Sequence, residues 1–525
     1  MDSRMVFAIV LSAIVLIGYQ VFFFDDMDSV EKAIGDAPTE VEERAPSPES
    51  EQHQVAQETL PQMEFGSLPA GPPDATAPTQ PLTVMEGGED IVLQNEHIIA
   101  TFSTHGAHLK SLLLKHHRED GRDGGMVEML RPGYPAFSTV IITSSGSTDL
   151  AAQPFEVENL QAKSATFRTQ LASGEELRKH FQLSHDYQFT IRYEMDCPNS
   201  NCASLTTLPT EIVENVAGDM FTFDGIIHGN QDDGLEKIKY DDIKSVRDIP
   251  NTQYAGVMDK YFLMAFLTTP QDTFRLFPDI PQRGASLVSP IHQEITVFTG
   301  PKIKDYLDCY DVGLHRTIDY GFLGFLAAPL MTAIRWFHAM TGNYGVAIIL
   351  LTVVIKIIFF PLSQKSYKSM KQMSKLAPEM KKIKEKYKND KEKLNVATMD
   401  LYKKHKVNPL SGCLPIIVQI PVFIALYKTL LNAIELRDAP FIFWITDLSV
   451  ADPYYITPII MGATMFLQQK MAPSTMDPMQ RKIMLTLPIV FTFLFMTFPA
   501  GLIIYWIANN VLSIAQQYLV LKQKD

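Results

Sequence analysis

Apolar and polar residues are distributed very unevenly along this chain. Met5–Phe24 is an uncharged apolar run of 20 residues. At about 1.5 Å per residue a helix of that length reaches about 30 Å, one hydrocarbon core. No small-x-small cleavage site follows it, so residues 1–24 read as a retained transmembrane anchor and not as a signal peptide. Comparable runs return only beyond residue 320: Tyr344–Leu362, Leu414–Leu431, Tyr455–Leu467, Ile483–Ala500 and Leu502–Leu521. Tyr455–Leu467 is short and ambiguous on its own. Counting it, the pattern predicts six transmembrane helices, one N-terminal and five forming a core over 341–525.

The stretch between these two regions has a different grammar. Residues 25–81 are rich in Pro, Glu, Ala, Ser and Gln and poor in aromatics. Such composition buries too little apolar surface to offset ordering entropy, which predicts a disordered acidic linker. From about residue 82 the period becomes two. Tyr187–Met195 alternates apolar and polar for nine residues, the signature of a half-buried strand. Ile98–Ser103, Phe155–Leu160, Ala165–Thr169, Phe221–Phe223, Ser286–Val288 and Glu294–Phe298 agree, and Tyr261–Leu267 reads as a fully buried strand. A large antiparallel β-sandwich over 82–320 is expected. Apolar residues then fall at helical spacing from Phe322 to Phe337, predicting an interfacial amphipathic helix over 321–340 that breaks at Gly342-Asn343.

Charge supplies orientation. The 525 residues carry a formal net charge of −13, which argues against nucleic acid as a main partner. Within 363–408, fourteen lysines against five acidic residues leave +9, so the rest of the chain carries −22. Lysine-rich loops stay in the cytoplasm. The same bias at Lys470, Lys482, Lys522 and Lys524 puts both termini inside and the β-sandwich in a periplasmic space. Met370, Met373, Leu376, Met380, Ile383 and Tyr387 step by three or four, as do Leu394, Ala397 and Leu401, so 363–408 reads as a cytoplasmic helical hairpin kinked at Pro378. Its lysines form a solvated face that sets topology. They also suit anionic headgroups, the ribosome or another acidic partner.

Lys356 is the residue that most needs an explanation. It stands six residues from the inner end of the Tyr344–Leu362 run, a depth of about 9 Å, so its stem can snorkel to the headgroups or face a wet cavity between helices. In the last run Trp506, Asn509, Ser513 and Gln516 share a face, with Asn510 and Gln517 beside them. Such a face must turn inward in lipid, as interhelical glue or as a cavity lining. Thr352, one turn before Lys356, and Gln419 add polar atoms at membrane depth. The candidate substrate groove therefore comprises Lys356, Thr352, Gln419, Trp506, Asn509, Ser513 and Gln516. No catalytic residue, cofactor-binding loop or metal site is expected: no GxxxxGK[ST] string occurs. His105, His108, His116 and His117 read as strand and loop residues, not converging ligands. Four cysteines exclude a disulfide scaffold; Cys197 and Cys202 either pair or stay free, and Cys309 has no evident partner.

Several strings resemble one family. Asn408-Pro-Leu-Ser-Gly-Cys-Leu-Pro415 continuing through Gln419-Ile-Pro421-Val-Phe-Ile-Ala-Leu-Tyr427, Trp444-Ile-Thr-Asp-Leu448, Asp452-Pro-Tyr-Tyr455, Asp477-Pro-Met-Gln480, Phe498-Pro-Ala-Gly501 and Gly256-Val-Met-Asp-Lys-Tyr-Phe262 are similar to the YidC, Oxa and Albino membrane-protein insertases, and the outer β domain to the Gram-negative branch. The resemblance implies a multi-pass inner-membrane insertase and chaperone of nascent membrane proteins, acting alone or with the Sec translocon, with a hydrophilic groove open to the cytoplasm and the lipid. It implies a groove cation at the position of Lys356, where Arg is commoner, and a sugar-binding-like β supersandwich with no catalytic residues to carry over. A solute transporter predicts an inverted repeat and charges on several spans, neither of which the sequence carries. A membrane-tethered periplasmic carbohydrate-binding protein remains the other alternative.

Overall fold

A computed structural model describes residues 88–522, apart from 120–123, 198–201, 210–211, 213–222, 231–233, 279–284, 408–413, 472–477 and five single positions. The expected anchor (1–24), the linker (25–81) and the first two residues of the Phe221–Phe223 strand lie outside the described residues. Among the described residues, 90–301 form three antiparallel sheets and 304–522 are helical.

A four-stranded meander covers Asp90–Gln94, Ile98–Ser103, His108–Arg118 and Met126–Glu128. The nine-stranded sheet runs, in spatial order, Gly234–Ile238, Gly225–Asn230, Tyr254–Met258, Phe262–Leu267, Ile295–Pro301, Gln188–Met195, Glu176–Leu183, Ser164–Gln170, Glu156–Gln161. The six-stranded sheet runs Arg247–Pro250, Thr273–Leu276, Ala285–Pro290, Ala203–Leu208, Thr139–Thr143, Gly146–Asp149. Alternation places one face of several strands inside. Along Gln188–Met195 the residues Phe189, Ile191, Tyr193 and Met195 are buried, while Arg192 is exposed. Tyr261–Leu267 is buried on both faces, as its continuous apolar character predicted.

Phe102, Phe137, Phe167, Phe181 and Phe189 meet in the centre of the β region with ring centroids 4.3–6.4 Å apart. Offset and edge-on pairs of this kind add about 0.5–1.5 kcal/mol each beyond their area burial. Polar bonds tie the sheets together: the Tyr193 hydroxyl lies 2.9 Å from Thr139 Oγ1 and 2.8 Å from Thr206 Oγ1. Lys179 is fully buried and donates to the Phe137 carbonyl at 2.7 Å. Burial pushes its ammonium well below the ordinary lysine range. Cys197 and Cys202, left open by the sequence, are bonded to one another; Cys309 is exposed and free.

The helical region comprises α1 (Gly324–Thr341), α2 (Tyr344–Ile358), α3 (Phe360–Lys375), α4 (Ala377–Lys386), α5 (Lys391–Lys404), α6 (Leu414–Asn432), α7 (Ile456–Met471), α8 (Pro478–Leu494) and α9 (Ala500–Lys522). The break expected at Gly342-Asn343 is present. Gly342 takes φ 66° and its N–H closes on the His338 carbonyl, while the Asn343 side chain caps α2 through Val346 N. Such a left-handed C-terminal position favours glycine.

The Tyr344–Leu362 run is not one continuous helix, which corrects the sequence expectation. α2 ends at Ile358, and α3 leaves at 64° to it. Pro361, near the N-terminus of α3, has no N–H to continue the helical ladder, and its ring disfavours helix for the preceding residue. Lys356 is therefore two residues from the end of its helix, not six. A second break at Leu376 separates α3 from α4, two residues before Pro378. Leu376, Met380, Leu401 and Val407 form a small core there, with Met373, Ile383 and Tyr402 against it. By length and composition, Gly321–Thr341 is the one helix among the described residues that is long and apolar enough to span a membrane alone.

The β and helical regions meet through the segment after α6. Ile434 is buried in the β-region core. The Arg437 guanidinium lies 5.7 Å from the Tyr261 ring centroid and 6.0 Å from that of Phe262. Asn432 donates to the Asp319 carbonyl at 2.7 Å.

Candidate functional site: the polar seam of the helical bundle

α9 is the central helix of the site. Ala500–Tyr505 is buried in the apolar core together with Ile348 and Leu351 of α2, Ala425 and Leu426 of α6 and Met461 of α7. Beyond Trp506 the same helix turns polar on its buried side. Asn510, Ser513, Gln516 and Gln517 are each less than a tenth exposed. Packing of its apolar first half against three helices fixes the azimuth of this stripe, so the polar half must also face protein.

The stripe organises its neighbours by hydrogen bonds. Lys356 Nζ donates to Ser513 Oγ at 2.7 Å. Ser513 Oγ donates its own proton to the Asn509 carbonyl at 2.7 Å. Gln419 Nε2, from α6, donates to Asn509 Oδ1 at 2.5 Å. Asn510 Nδ2 donates to Thr464 Oγ1 of α7 at 3.1 Å. Gln516 Nε2 donates to the Phe360 carbonyl at 3.3 Å, at the elbow between α2 and α3. Trp506 is half-buried and closes one end against aromatic rings. Its centroid is 4.8 Å from Phe423 and 4.7 Å from Phe495.

Six of the seven expected residues therefore converge: Lys356, Gln419, Asn509, Ser513 and Gln516 through one polar seam, and Trp506 at its margin. Thr352 does not join them. It is 1% exposed, and its hydroxyl donates to the Ile348 carbonyl of its own helix at 2.7 Å. Back-bonding of this kind satisfies the donor of a hydroxyl in an apolar helix, and among the described residues no bond joins Thr352 to the seam. Tyr367 of α3, which the sequence reading did not single out, also hydrogen-bonds Ser513. Ser363 and Ser366 are buried on the same helix. Their signal was faint: Ser363, Ser366 and Tyr367 follow a three- and four-residue step within a lysine-rich segment whose apolar seam dominated.

Charge in this bundle has one sign. α2, α6, α7, α8 and α9 contain no Asp or Glu. Among the described residues Lys356 makes no ion pair, and its recorded partner is a neutral hydroxyl. A half-buried ammonium beside amides and hydroxyls can attract an anion and hydrogen-bond polar groups.

Known proteins bear on these features. The sequence pattern of the 60Kd inner membrane protein family matches residues 336–525, and that of the YidC periplasmic domain matches residues 90–333. The membrane protein insertase YidC of Geotalea daltonii is 36% identical, with 99% of each chain covered. That of Syntrophus aciditrophicus is 38% identical, with 100% of each covered. Among solved structures, an active YidC insertase with its first transmembrane domain resolved aligns over 84% of this chain and 94% of that one, at 19% identity and a TM-score of 0.39. Matched across both of its regions, β and helical, this chain belongs to the YidC family of membrane protein insertases.

Proposed function

We propose that this protein inserts integral membrane proteins into the inner membrane and assists their folding, alone or with the Sec translocon. The observation that carries the reading is the unneutralised Lys356 on a polar seam inside an otherwise apolar, acid-free bundle. A polar segment entering hydrocarbon loses water from every backbone group, each at a cost of several kcal/mol. A seam of amides and hydroxyls, opening to the cytoplasm, shortens that dry path, and the cation attracts acidic tails. The apolar span then moves sideways into lipid, where its burial drives the step. No nucleotide or covalent intermediate is involved.

The remaining architecture fits around this. Residues 1–24 anchor the chain and five further helices cross: α2, α6, α7, α8 and α9. Residues 25–81 tether the β-sandwich of 82–320 in the periplasm, and both termini are cytoplasmic. Gly321–Thr341 lies in the outer interface, supported by its exposed Phe325, Trp336 and Met340 beside buried Ala327, Leu330, Met331 and Ile334. α4 and α5 form the cytoplasmic hairpin, whose lysines face anionic lipid headgroups and the ribosome.

Reconstitution of the full chain in liposomes tests the proposal. A small single-span substrate should become protease-protected in its presence. Lys356→Ala should lower insertion of acidic-tailed substrates several-fold while sparing neutral ones. Absence of insertion by the unmodified protein would sink the reading, and equal effects on both tails would reduce Lys356 to a snorkelling residue.

A further inference from the structure

Lys356 poses a physical question that the groove reading leaves open. It stands in the last turn of α2, two residues from the break. A lysine stem spans several ångströms, and from this position the cheapest course is to reach the headgroup layer. Instead its ammonium turns into the bundle and sits 2.7 Å from Ser513 Oγ. Ser513 is 3% exposed. Its own proton goes to the Asn509 carbonyl, one turn back. Its oxygen is thereby left as an acceptor, and Lys356 donates to it.

We propose that Ser513 is a positioning residue that holds Lys356 inside the bundle as a cation without neutralising it, and that an incoming substrate carboxylate displaces the Ser513 hydroxyl from the ammonium. The inference rests on the groove reading and adds the resting partner of its cation. Two observations carry it beyond the hydrogen bond. First, the five helices of the bundle hold no acidic residue, so none of them offers Lys356 a carboxylate. Second, a neutral hydroxyl is the weaker kind of partner. Its bond from the ammonium is already charge-assisted, but a carboxylate adds an opposite unit charge at the same distance, and that attraction favours exchange of Ser513 for a substrate carboxylate. An aspartate at 513 would make a permanent ion pair and remove that gradient. An alanine would release the lysine to the headgroups. The Asn509 side chain, held by Gln419, and the Gln516 bond to Phe360 keep α9 and the elbow in register while the exchange occurs.

The test uses the full chain in liposomes and two single-span substrates differing only in Asp or Asn residues of the translocated tail. The wild type should insert the acidic-tailed substrate several-fold better. Ser513→Asp should bring that ratio close to one, whatever the absolute rates. Ser513→Ala should lower acidic-tail insertion several-fold, and Ser513→Thr, which keeps the hydroxyl, should restore most of it. Thermal unfolding of each purified variant reports folding independently of insertion. Wild-type preference in both Ser513→Asp and Ser513→Ala, with the preference lost in Lys356→Ala, overturns the role of Ser513 alone. Preference unchanged in Lys356→Ala overturns the groove reading and this inference with it. A uniform loss of both substrates in Ser513→Ala that Ser513→Thr fails to rescue also overturns it, in favour of simple packing.

Discussion

Asp452 is where one substitution should be felt most sharply outside the bundle's polar seam. It precedes α7 and is 1% exposed. Its Oδ1 accepts from Trp444 Nε1 at 3.0 Å and Tyr454 N at 2.9 Å. Its Oδ2 accepts from Thr457 N at 2.7 Å and Thr457 Oγ1 at 2.9 Å. Thr457 N is one of the orphan donors of the first turn of α7, so the carboxylate also serves a helix start. Bonds to a charged acceptor are worth about 1.5–3 kcal/mol each, and leaving buried donors unpaired adds to the loss. Asp452→Asn turns one oxygen into a donor that faces two donors, an expected loss of about 3 kcal/mol; Asp452→Ala removes all four bonds and should cost about 4–5 kcal/mol, the four being far from additive. The control is Asp447→Asn, whose carboxylate accepts only from Ser449 N and Oγ, with a loss of about 1 kcal/mol. Unfolding of the purified full chain, followed by tryptophan emission, reads the difference directly because Trp444 is one of the donors. Burial alone would raise the Asp452 carboxyl, but the Thr457 and Tyr454 N–H groups, the Thr457 hydroxyl and the Trp444 indole outweigh it and hold the group below the ordinary carboxylate range. A lowered folded-state value means the stabilisation is complete above about pH 4 and is lost as pH falls through the lowered value. The gap between wild type and Asp452→Asn should therefore be constant from pH 8 to 5 and narrow only in stronger acid. Equal midpoints for Asp452→Asn and Asp447→Asn at neutral pH would refute the hub.

Two further outcomes follow from the packing. A Cβ on Gly462 of α7 would stand 2.0 Å from Thr492 Oγ1 of α8, so Gly462→Ala should cost about 1–3 kcal/mol by overpacking; Gly462→Ala with Thr492→Ala should recover part of it in thermal unfolding, and an unchanged midpoint in the single variant would show that α8 simply shifts. Arg335 of α1 bonds Glu435 at 2.7 Å through Nη2 and at 3.0 Å through Nε; a double-mutant cycle with Arg335→Ala and Glu435→Ala should give a coupling of about 1 kcal/mol after discounting for partial exposure, and a coupling near zero would make the pair a surface contact.

How much of this was legible in the sequence follows from which forces act along the chain and which act across it. The strand Ile98–Ser103 and the burial alternation of Gln188–Met195 were readable because a period of two records a single buried face. Tyr193 was readable as a core residue, but its bonds to Thr139 and Thr206 cross from one sheet to another and leave no local mark. The elbow at Phe359 was hidden by the opposite effect. Hydropathy is continuous from Tyr344 to Leu362, and only Pro361 speaks against it; a proline near a span's end is tolerated often enough that apolar continuity dominated. Helical register places the Thr352 hydroxyl at membrane depth, but it does not say that its own Ile348 carbonyl will take the proton. Tyr367 was missed because its partner, Ser513, is 146 residues away and sits on a helix that only the fold brings close.

Exclusion of charge from lipid accounts for part of the bundle's composition and fails to account for the rest. Spread evenly, the chain's 59 acidic residues would place about ten in α2 and α6–α9, where there are none. A bilayer penalises lysine as much as aspartate, yet Lys356 and Lys428 are present in the same helices. Retention of lysines in cytoplasmic loops explains those at helix ends such as Lys470 and Lys522. It does not explain a lysine that turns inward onto Ser513 when the headgroups are within reach of its stem. A protein built only for stability would have paired that ammonium with an acid or replaced it by an apolar residue, since either removes an unpaired charge from a poorly solvated site. Keeping the cation and excluding every acid around it leaves the strongest available partner to be supplied from outside, which is the condition a substrate-attracting site must meet.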